Sequence, residues 1–559
     1  MSAPGREAGN SGSRAGSASD RPGAGTASVP RRAADFTGTR RLFLLSLRRD
    51  RVVAPLWALA IGLMPAVQLV SVEDLYSSQE QLAQFAATTA ASPALLAMYG
   101  PVFGTSLGSI GTWKAGAMYT VIAIAAVLTV VRHTRVEEET GRAELVGATG
   151  IGRFAGLTAA LLLTGGGSLV AGLVCALSLL GSGEPLAGSV AWGTSLAASG
   201  LVWAGIAAVA AQASTGARVA RGIAFAALGT AFALRAAGDA GNGVLSWFSP
   251  LGWCLQIRPY AGERWWVLLP LLTVAVFAVG FAYALLDRRD TGAGLIAERP
   301  GRPAAKKSLS GAFRLAARLQ RGALLGWAIG FALYGLLIGG AVGSVGDMLG
   351  DNDTLRDLMD RMGGSSALED SFVTYALTLL AAVAAAYSVS ALLRLHDEES
   401  SGRMEATLAG AVSRPRLAAA HLTFALGGPA LLLFVASAAI GLVYAPQTAD
   451  PEHTFDAVVA AAAVQLPAVW VVTGIATALY GSLPRFAPFA WGVLSAMIVL
   501  YFVGSLDALP QWVMDLVPFT HPPKLPGGEF TAEPLLWLLA IATILIAAGM
   551  ICFRRRDLR

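Results

Sequence analysis

The sequence predicts an all-α integral membrane protein with about 12 transmembrane helices, arranged as two parallel six-helix repeats. Hydrophobic residues make up 55% of the 559 residues and charged residues only 14%, whereas about 25% of the residues of a soluble domain are charged. The charges are grouped between apolar runs of about 20 residues, the length that crosses a bilayer as a helix. A charged motif also occurs twice, once in each half of the chain.

Hydropathy predicts the position of each span. The fifth and eleventh are the least regular, because Arg235 interrupts one and Pro484 and Pro488 lie at the start of the other. The predicted spans lie near residues 52–71, 111–131, 154–180, 189–212, 220–238, 266–286, 323–345, 372–392, 417–444, 455–480, 487–505 and 534–552.

The basic residues predict the orientation of the spans. Arginine and lysine cluster before the first span and after the second, fourth, sixth and twelfth, which alternation places on a single side. Residues 72–110, on the other side, contain no Lys or Arg. The positive-inside rule therefore predicts a multi-pass protein of the cell membrane with both termini in the cytoplasm.

An internal duplication explains the repeated motif. The segment 135–153, RVEEETGRAELVGATGIGR, recurs at 396–414 as HDEESSGRMEATLAGAVSR. Further echoes are Arg51 and Trp57 with Arg321 and Trp327, and Arg288-Arg289-Asp290 with Arg555-Arg556-Asp557. Six spans return the chain to the side on which it began, so the two repeats are parallel. The predicted divisions are a disordered cytoplasmic tail at 1–37, a first half at 38–286, a cytoplasmic linker at 287–310 and a second half at 311–559.

The repeated acidic segment has two interpretations: a solvated connector, or a short helix that presents charges to a cytosolic protein. Its repetition, its glycine bend and the apolar residues at helical spacing after each glycine favour the second. The negative inner leaflet repels acids, so a protein partner suits them better than lipid. The candidate residues are Glu137, Glu138, Gly141, Arg142 and Glu144, and in the second copy Glu398, Glu399, Gly402, Arg403 and Glu405.

Basic amphipathic segments precede the first span of each half, at residues 38–51 and 311–321. Segments of this type lie in the membrane interface as helices. The alternative is that each is a cytoplasmic extension of the span that follows.

This order of elements resembles the permease subunits of ABC-2 type exporters. The twelve-span duplicated form is similar to actinobacterial membrane subunits that export polyketide antibiotics, of the tetronasin-like kind. The resemblance rests on Glu137–Glu139, Gly141, Arg142 and Glu144 with their copies, on Trp57 and Trp327, and on Pro250-Leu251-Gly252-Trp253.

The resemblance implies that the segment between the second and third spans of each half is a coupling helix that docks on a separate ATPase. The implied partners are two copies of a cytosolic ABC ATPase, which bind ATP and magnesium, while this chain binds no cofactor. The implied cargo is a hydrophobic drug- or antibiotic-like compound moved out of the cell. Ser400 stands where Glu139 does, and Met404 where Ala143 does, so we expect unequal docking surfaces.

The chain is predicted to be a permease and not an enzyme. The nearest string to a phosphate-binding loop, GRPAAKKS at 301–308, has Lys306 in place of the second glycine that such a loop requires. The cysteines and histidines lack the spacing of metal ligands. No pattern indicates nucleic acid as a partner, whereas the apolar runs require a lipid bilayer.

The alternative function is a proton-coupled secondary drug antiporter with twelve spans. Such a carrier needs ionisable residues within the membrane, and no acid lies squarely in the middle of a predicted span. Arg235 and Asp239 could pair near the outer end of the fifth span, or Arg235 could extend to the interface. Gln68 and Gln465 are polar within spans and are candidates for the substrate path, although hydrogen bonds between helices explain them equally well.

Overall fold

A computed structural model describes residues 35–76, 78–289, 294, 311–347, 365–410, 412–504 and 510–556. Within these ranges the chain forms helices joined by turns and contains no strand, so the all-α prediction is confirmed. Residues 1–34 of the predicted tail and 295–310 of the predicted linker lie outside the described residues. The predicted division of the chain into four segments therefore stays a prediction.

The helices are numbered here in chain order. Those of the first half are α1 (Thr39–Arg49), α2 (Val53–Leu75), α3 (Gln79–Ala91), α4 (Pro93–Tyr99), α5 (Leu107–Gly111), α6 (Met118–His133), α7 (Arg135–Glu139), α8 (Arg142–Gly147), α9 (Ala155–Gly181), α10 (Leu186–Ala213), α11 (Ala217–Ala240), α12 (Pro250–Gln256) and α13 (Leu268–Asp287). Those of the second half are α14 (Ala312–Asp347), α15 (Ser365–Ser400), α16 (Arg403–Leu408), α17 (Arg414–Tyr444), α18 (Pro451–Ala463), α19 (Leu466–Ser482), α20 (Phe489–Gly504), α21 (Gln511–Met514) and α22 (Glu533–Arg555).

Eleven helical segments of the described chain are long and apolar enough to cross a membrane, which confirms an integral membrane protein. They are α2, α6 with α7, α9, α10, α11, α13, α14, α15, α17, α18 with α19, and α22. The remaining predicted span, 487–505, corresponds to α20, whose apolar part Phe489–Tyr501 is shorter than the others. It begins at Phe489, directly after Pro488.

The two amphipathic segments differ from each other. In the first half, α1 is a separate helix, and its exposed Leu44, Leu45 and Leu47 suit the membrane interface. In the second half, residues 312–321 are the first turns of α14, which is the alternative of an extension of the following span. Pro55, which has no N–H to donate to the carbonyl of Arg51, favours the break between α1 and α2, and Leu325 stands at the matching position of the second half.

Two large hydrophobic cores form, one in each half, beside a small cluster of Val131, Ala217 and Ala220 in the first half. The buried side chains of the first core lie between Ala58 and Ala282, and those of the second between Ala312 and Phe553. Paired glycines bring helix backbones into direct contact within each core. A Cβ added at Gly172 would lie 2.3 Å from the carbonyl oxygen of Gly193, and one at Gly481 would lie 2.0 Å from that of Gly549. Such small residues allow the close packing on which membrane helices depend.

The halves meet where α4 of the first packs on α14 of the second, with Met98 against the second core. Arg235 of α11 holds α4 by donating to the carbonyls of Ala97 at 2.8 Å and Met98 at 3.1 Å. The same guanidinium lies 3.3 Å from the Asp239 carboxylate, and both residues are buried. Of the two sequence-based alternatives, the structure therefore shows the buried pair and not an arginine extended to the interface.

Candidate coupling site

Each acidic motif forms a bend that we call an elbow, the first at residues 134–148 and the second at residues 395–409. In the first elbow Gly141 has a φ of 70° between α7 and α8, and in the second Gly402 has a φ of 72° between α15 and α16. This left-handed conformation favours glycine because a side chain there is strained. A Cβ added at either glycine would meet nothing within 4 Å, so the requirement is purely conformational.

Glu137 and its counterpart Glu398 each form an exposed ion pair within their own elbow. Glu137 accepts from Arg142 at 3.4 Å and from Arg49 of α1 at 2.5 Å. Glu398 accepts from Arg403 at 2.9 Å, and this hydrogen bond raises the pKa of Arg403. Exposed pairs of this kind contribute little to stability. They leave Arg142 and Arg403 more than half exposed, at 52% and 62% of their side-chain area.

Glu138 and its counterpart Glu399 point inward. Glu138 accepts hydrogen bonds from both terminal nitrogens of Arg289, at 2.6 and 3.0 Å, and from Arg135 at 2.6 Å. Glu399 accepts from Arg556 and from the hydroxyl of Tyr480, each at 2.6 Å. Their side chains are only 15% and 8% exposed. These two carboxylates therefore hold the elbow in place, whereas the sequence had suggested that they face a partner.

Glu139 has no acidic counterpart in the second elbow. Glu139 accepts from the backbone N–H of Ala217 at 2.7 Å, at the start of α11. There a carboxylate satisfies an unpaired amide and complements the helix dipole. Ser400, at the matching position, donates to the carbonyl of Asp397 within its own helix, at 3.2 Å. The two elbows are therefore anchored differently.

An arginine after each elbow completes the arrangement. Arg153 donates to the carbonyls of Leu286, Asp287 and Arg289, at 2.8, 3.0 and 2.6 Å. Arg414 donates to the carbonyl of Arg556 at 3.0 Å. We call Glu138, Arg289 and Arg153 the first clasp, and Glu399, Arg556 and Arg414 the second clasp. Sequence reasoning missed the clasps as sites, although all six residues belong to its repeated motifs.

The outward side of each elbow is free of these anchors. Glu144 and Leu145 are exposed on α8, Leu145 to 75% of its area. Glu405 and Ala406 are exposed on α16, where Met404 is instead buried in the second core. Glu144, Arg142, Glu405 and Arg403 are thus the predicted residues that the fold leaves available to another molecule.

The two candidate substrate-path glutamines lie in different halves. Gln68 is half-buried on α2. Gln465 occupies the break between α18 and α19, is 3% exposed, and donates to the Thr378 hydroxyl of α15 at 3.2 Å. This is the hydrogen bond between helices that the sequence left open as an alternative. The Gln465 Oε1 has no hydrogen-bond partner among the described residues.

Comparison with known proteins gives two findings. A family model for the C-terminal domain of the multidrug efflux system permease Rv1217c matches residues 309–554. The chain is also 53% identical, over 532 residues, to the multidrug efflux system permease protein Rv1217c of Mycobacterium tuberculosis (strain ATCC 25618 / H37Rv). That alignment covers 95% of this chain and 97% of the relative.

Proposed function

This chain belongs to the family of the multidrug efflux system permease Rv1217c, and on that premise we propose that it exports hydrophobic drug-like compounds, driven by separate ATPase subunits. The name of the relative supports multidrug efflux as the activity. The eleven apolar helical segments support a permease that works within the bilayer. Placement in the cell membrane, with both termini in the cytoplasm, is part of the proposal and rests on the distribution of basic residues.

The observation that carries the ATP-driven mechanism is the pair of elbows. Each elbow has a base fixed by buried ion pairs and an outward side that carries exposed charges. A surface fixed in this way can receive force from a docked protein and pass it to the spans behind it. We propose two cytosolic ABC ATPase subunits, one at each elbow, which bind ATP and magnesium. Their closure would move the two halves as rigid bodies about their interface.

One observation favours the alternative of a proton-coupled antiporter. Asp50 and His133 are both buried and lie 2.8 Å apart, and Arg132 lies 3.1 Å from the same carboxylate. A buried carboxylate–histidine pair can carry a proton. This pair lies beside the first elbow, at one end of the spans, and the matching positions of the second half hold Gln320 and Arg394.

The test is export by the purified chain in lipid vesicles, with and without its ATPase. We expect export of a fluorescent hydrophobic compound to require ATP and the second protein, and to persist when an ionophore collapses the proton gradient. Export by the chain alone that stops on addition of the ionophore would contradict the proposal. In that case His133→Gln would be expected to abolish transport.

Docking at the elbows has its own test. Glu144→Lys together with Glu405→Lys reverses one exposed charge on each elbow, and we expect about tenfold less ATPase to co-purify, since tenfold corresponds to about 1.4 kcal/mol. Glu529→Lys, an exposed acid between α21 and α22, is the matched control. Equal co-purification of both variants would show that the elbows are not the docking surface.

A further inference from the structure

The clasp is the feature that the two halves share most closely. Glu138 and Glu399 lie 261 residues apart, as do Arg153 and Arg414, whereas Arg289 and Arg556 lie 267 apart. The same three-way contact thus forms in each half although six more residues separate its parts in the second. Around it the elbows differ, with Glu139 against Ser400 and Ala143 against Met404.

In each clasp, the arginine that pairs with the glutamate, Arg289 or Arg556, also contacts the fourth span of its half. The Nε of Arg289 donates to the Gln212 side chain of α10 at 2.6 Å. The guanidinium carbon of Arg556 lies 4.9 Å from the centre of the Tyr480 ring of α19. One arginine at the end of the sixth membrane helix therefore touches an elbow, the fourth span, and the arginine that precedes or begins the third span. Chemically different partners, an amide and a phenol, preserve the same connection.

Stability alone is a weak reason for such an arrangement. A buried ion pair loses in desolvation much of what it gains in attraction, and apolar residues of similar size often stabilise a fold as well. The planar guanidinium instead fixes its partners in direction as well as in distance. This geometry suits a rigid connection, in which a displacement of the elbow moves the attached spans by the same amount.

We propose that Arg289 and Arg556 are positioning residues, each of which fixes an elbow to the third, fourth and sixth spans of its half so that they move as one body and the clasp stays closed throughout transport. The proposal rests on the proposed export function only for its transport measurement. The proposed connection between the elbow and the three spans concerns this chain alone and does not depend on the energy source of transport.

The first experiment measures the connection directly in the second half, where Arg556 is the one arginine that pairs with Glu399 within the described part of the chain. Spin labels are placed on the full-length chain at Ala406 of the elbow and Ile551 of α22, both exposed, in a Cys552→Ser background. We expect one narrow distance distribution in the parent protein. Arg556→Met should broaden it at least about twofold, and Glu399→Arg with Arg556→Glu should restore it, because the reversed pair has the same complementarity.

Arg555→Met is the matched control, since it removes the same charge from an exposed neighbour. Its distance distribution should equal that of the parent protein. If Arg556 only stabilised the fold, Arg556→Met would give a lower yield of folded protein, and the spin-label distance distribution of that folded protein would be unchanged. That result would overturn the proposal.

The second experiment asks whether the clasp opens. Glu399→Cys with Arg556→Cys, in the same Cys552→Ser background, should lose most export, and a short bifunctional thiol reagent that joins the two cysteines should restore it to within about twofold of the parent. No recovery of export after the two cysteines are joined would mean that the connection must open, contrary to the proposal. If the parent protein exports nothing, the proposed function fails, and the distance measurement still decides the role of Arg556.

Discussion

At the residue scale, substitution of either elbow glycine is expected to carry a conformational cost without a packing cost. Gly141→Ala or Gly402→Ala introduces a Cβ with nothing within 4 Å, so only the left-handed φ is penalised. We expect a local cost of about 1 to 2 kcal/mol. The measurement is hydrogen–deuterium exchange of the elbow amides, which should become about tenfold faster, since tenfold corresponds to about 1.4 kcal/mol.

Gly147→Ala is the control for this prediction, because Gly147 is helical and equally open. There alanine should stabilise α8 by up to about 1 kcal/mol and slow exchange. Slower exchange in Gly141→Ala as well would contradict the left-handed bend. The bend itself was predictable from the sequence, since a glycine between two charged segments commonly marks such a turn.

The Arg235–Asp239 pair leads to a second residue-scale prediction. Removing one partner by Arg235→Met leaves a buried carboxylate without its cation, which costs about 3 to 5 kcal/mol. Thermal unfolding of the purified protein should show a clearly lower midpoint. Arg221→Met, at an exposed position of the same helix, should change it little. A midpoint of Arg235→Met equal to that of Arg221→Met would argue against a buried pair.

At the scale of the element, each elbow is anchored by its clasp and by one further contact that the other elbow lacks. Ion pairs and the Glu139 cap hold the first, and the buried Met404 adds apolar anchoring to the second. Met404→Ala removes a core side chain, at a typical cost of 2 to about 5 kcal/mol. We expect amide exchange in α16 to rise more than tenfold while α8 is unaffected.

Leu145→Ala provides the comparison, because it removes an apolar side chain of similar size that is exposed on α8. It should leave exchange in both elbows nearly unchanged. An effect of Leu145→Ala as large as that of Met404→Ala would mean that α8 is packed against the protein and not exposed.

The elements also show what hydropathy can and cannot predict. Span positions follow from apolar runs, and even the separation of α1 from α2 could have been read from Pro55. The inward orientation of Glu138 and Glu399 could not be predicted, because their partners Arg289 and Arg556 lie more than 150 residues away in sequence. A repeated acid looks the same whether it faces a partner protein or a distant arginine.

At the scale of the whole molecule, two separate cores predict that the halves can be made as two chains. A chain cut within residues 295–310 leaves each core complete. We expect the co-expressed fragments to fold, to co-purify through the contact of α4 with α14, and to export at a rate similar to that of the intact protein. A cut at 182–184, between the core helices α9 and α10, should reduce the yield of assembled protein. Failure of the first pair to co-purify would show that the linker does more than join the halves.

The sequence was sufficient to predict the two bends of the candidate site. It was not sufficient to predict the long-range contacts that form the two clasps. The repeat reveals which positions matter in both halves, and the glycines reveal the bends. Which acid faces outward is decided by the third, fourth and sixth spans, whose packing brings Gln212 or Tyr480 next to the arginine. That packing is a property of the folded half and is not encoded in the motif.

The exposed Leu145 on the outward side of the first elbow has only Ala406 at the matching position of the second elbow. This difference between the two outward sides has a consequence for stoichiometry. In the proposed complex, two identical ATPase copies would meet surfaces that are not identical, so no two-fold axis could relate their binding modes. The two nucleotide sites would then differ in occupancy despite having one sequence. A titration of the ATPase against this subunit should resolve two affinities, with a half-loaded complex at intermediate concentrations.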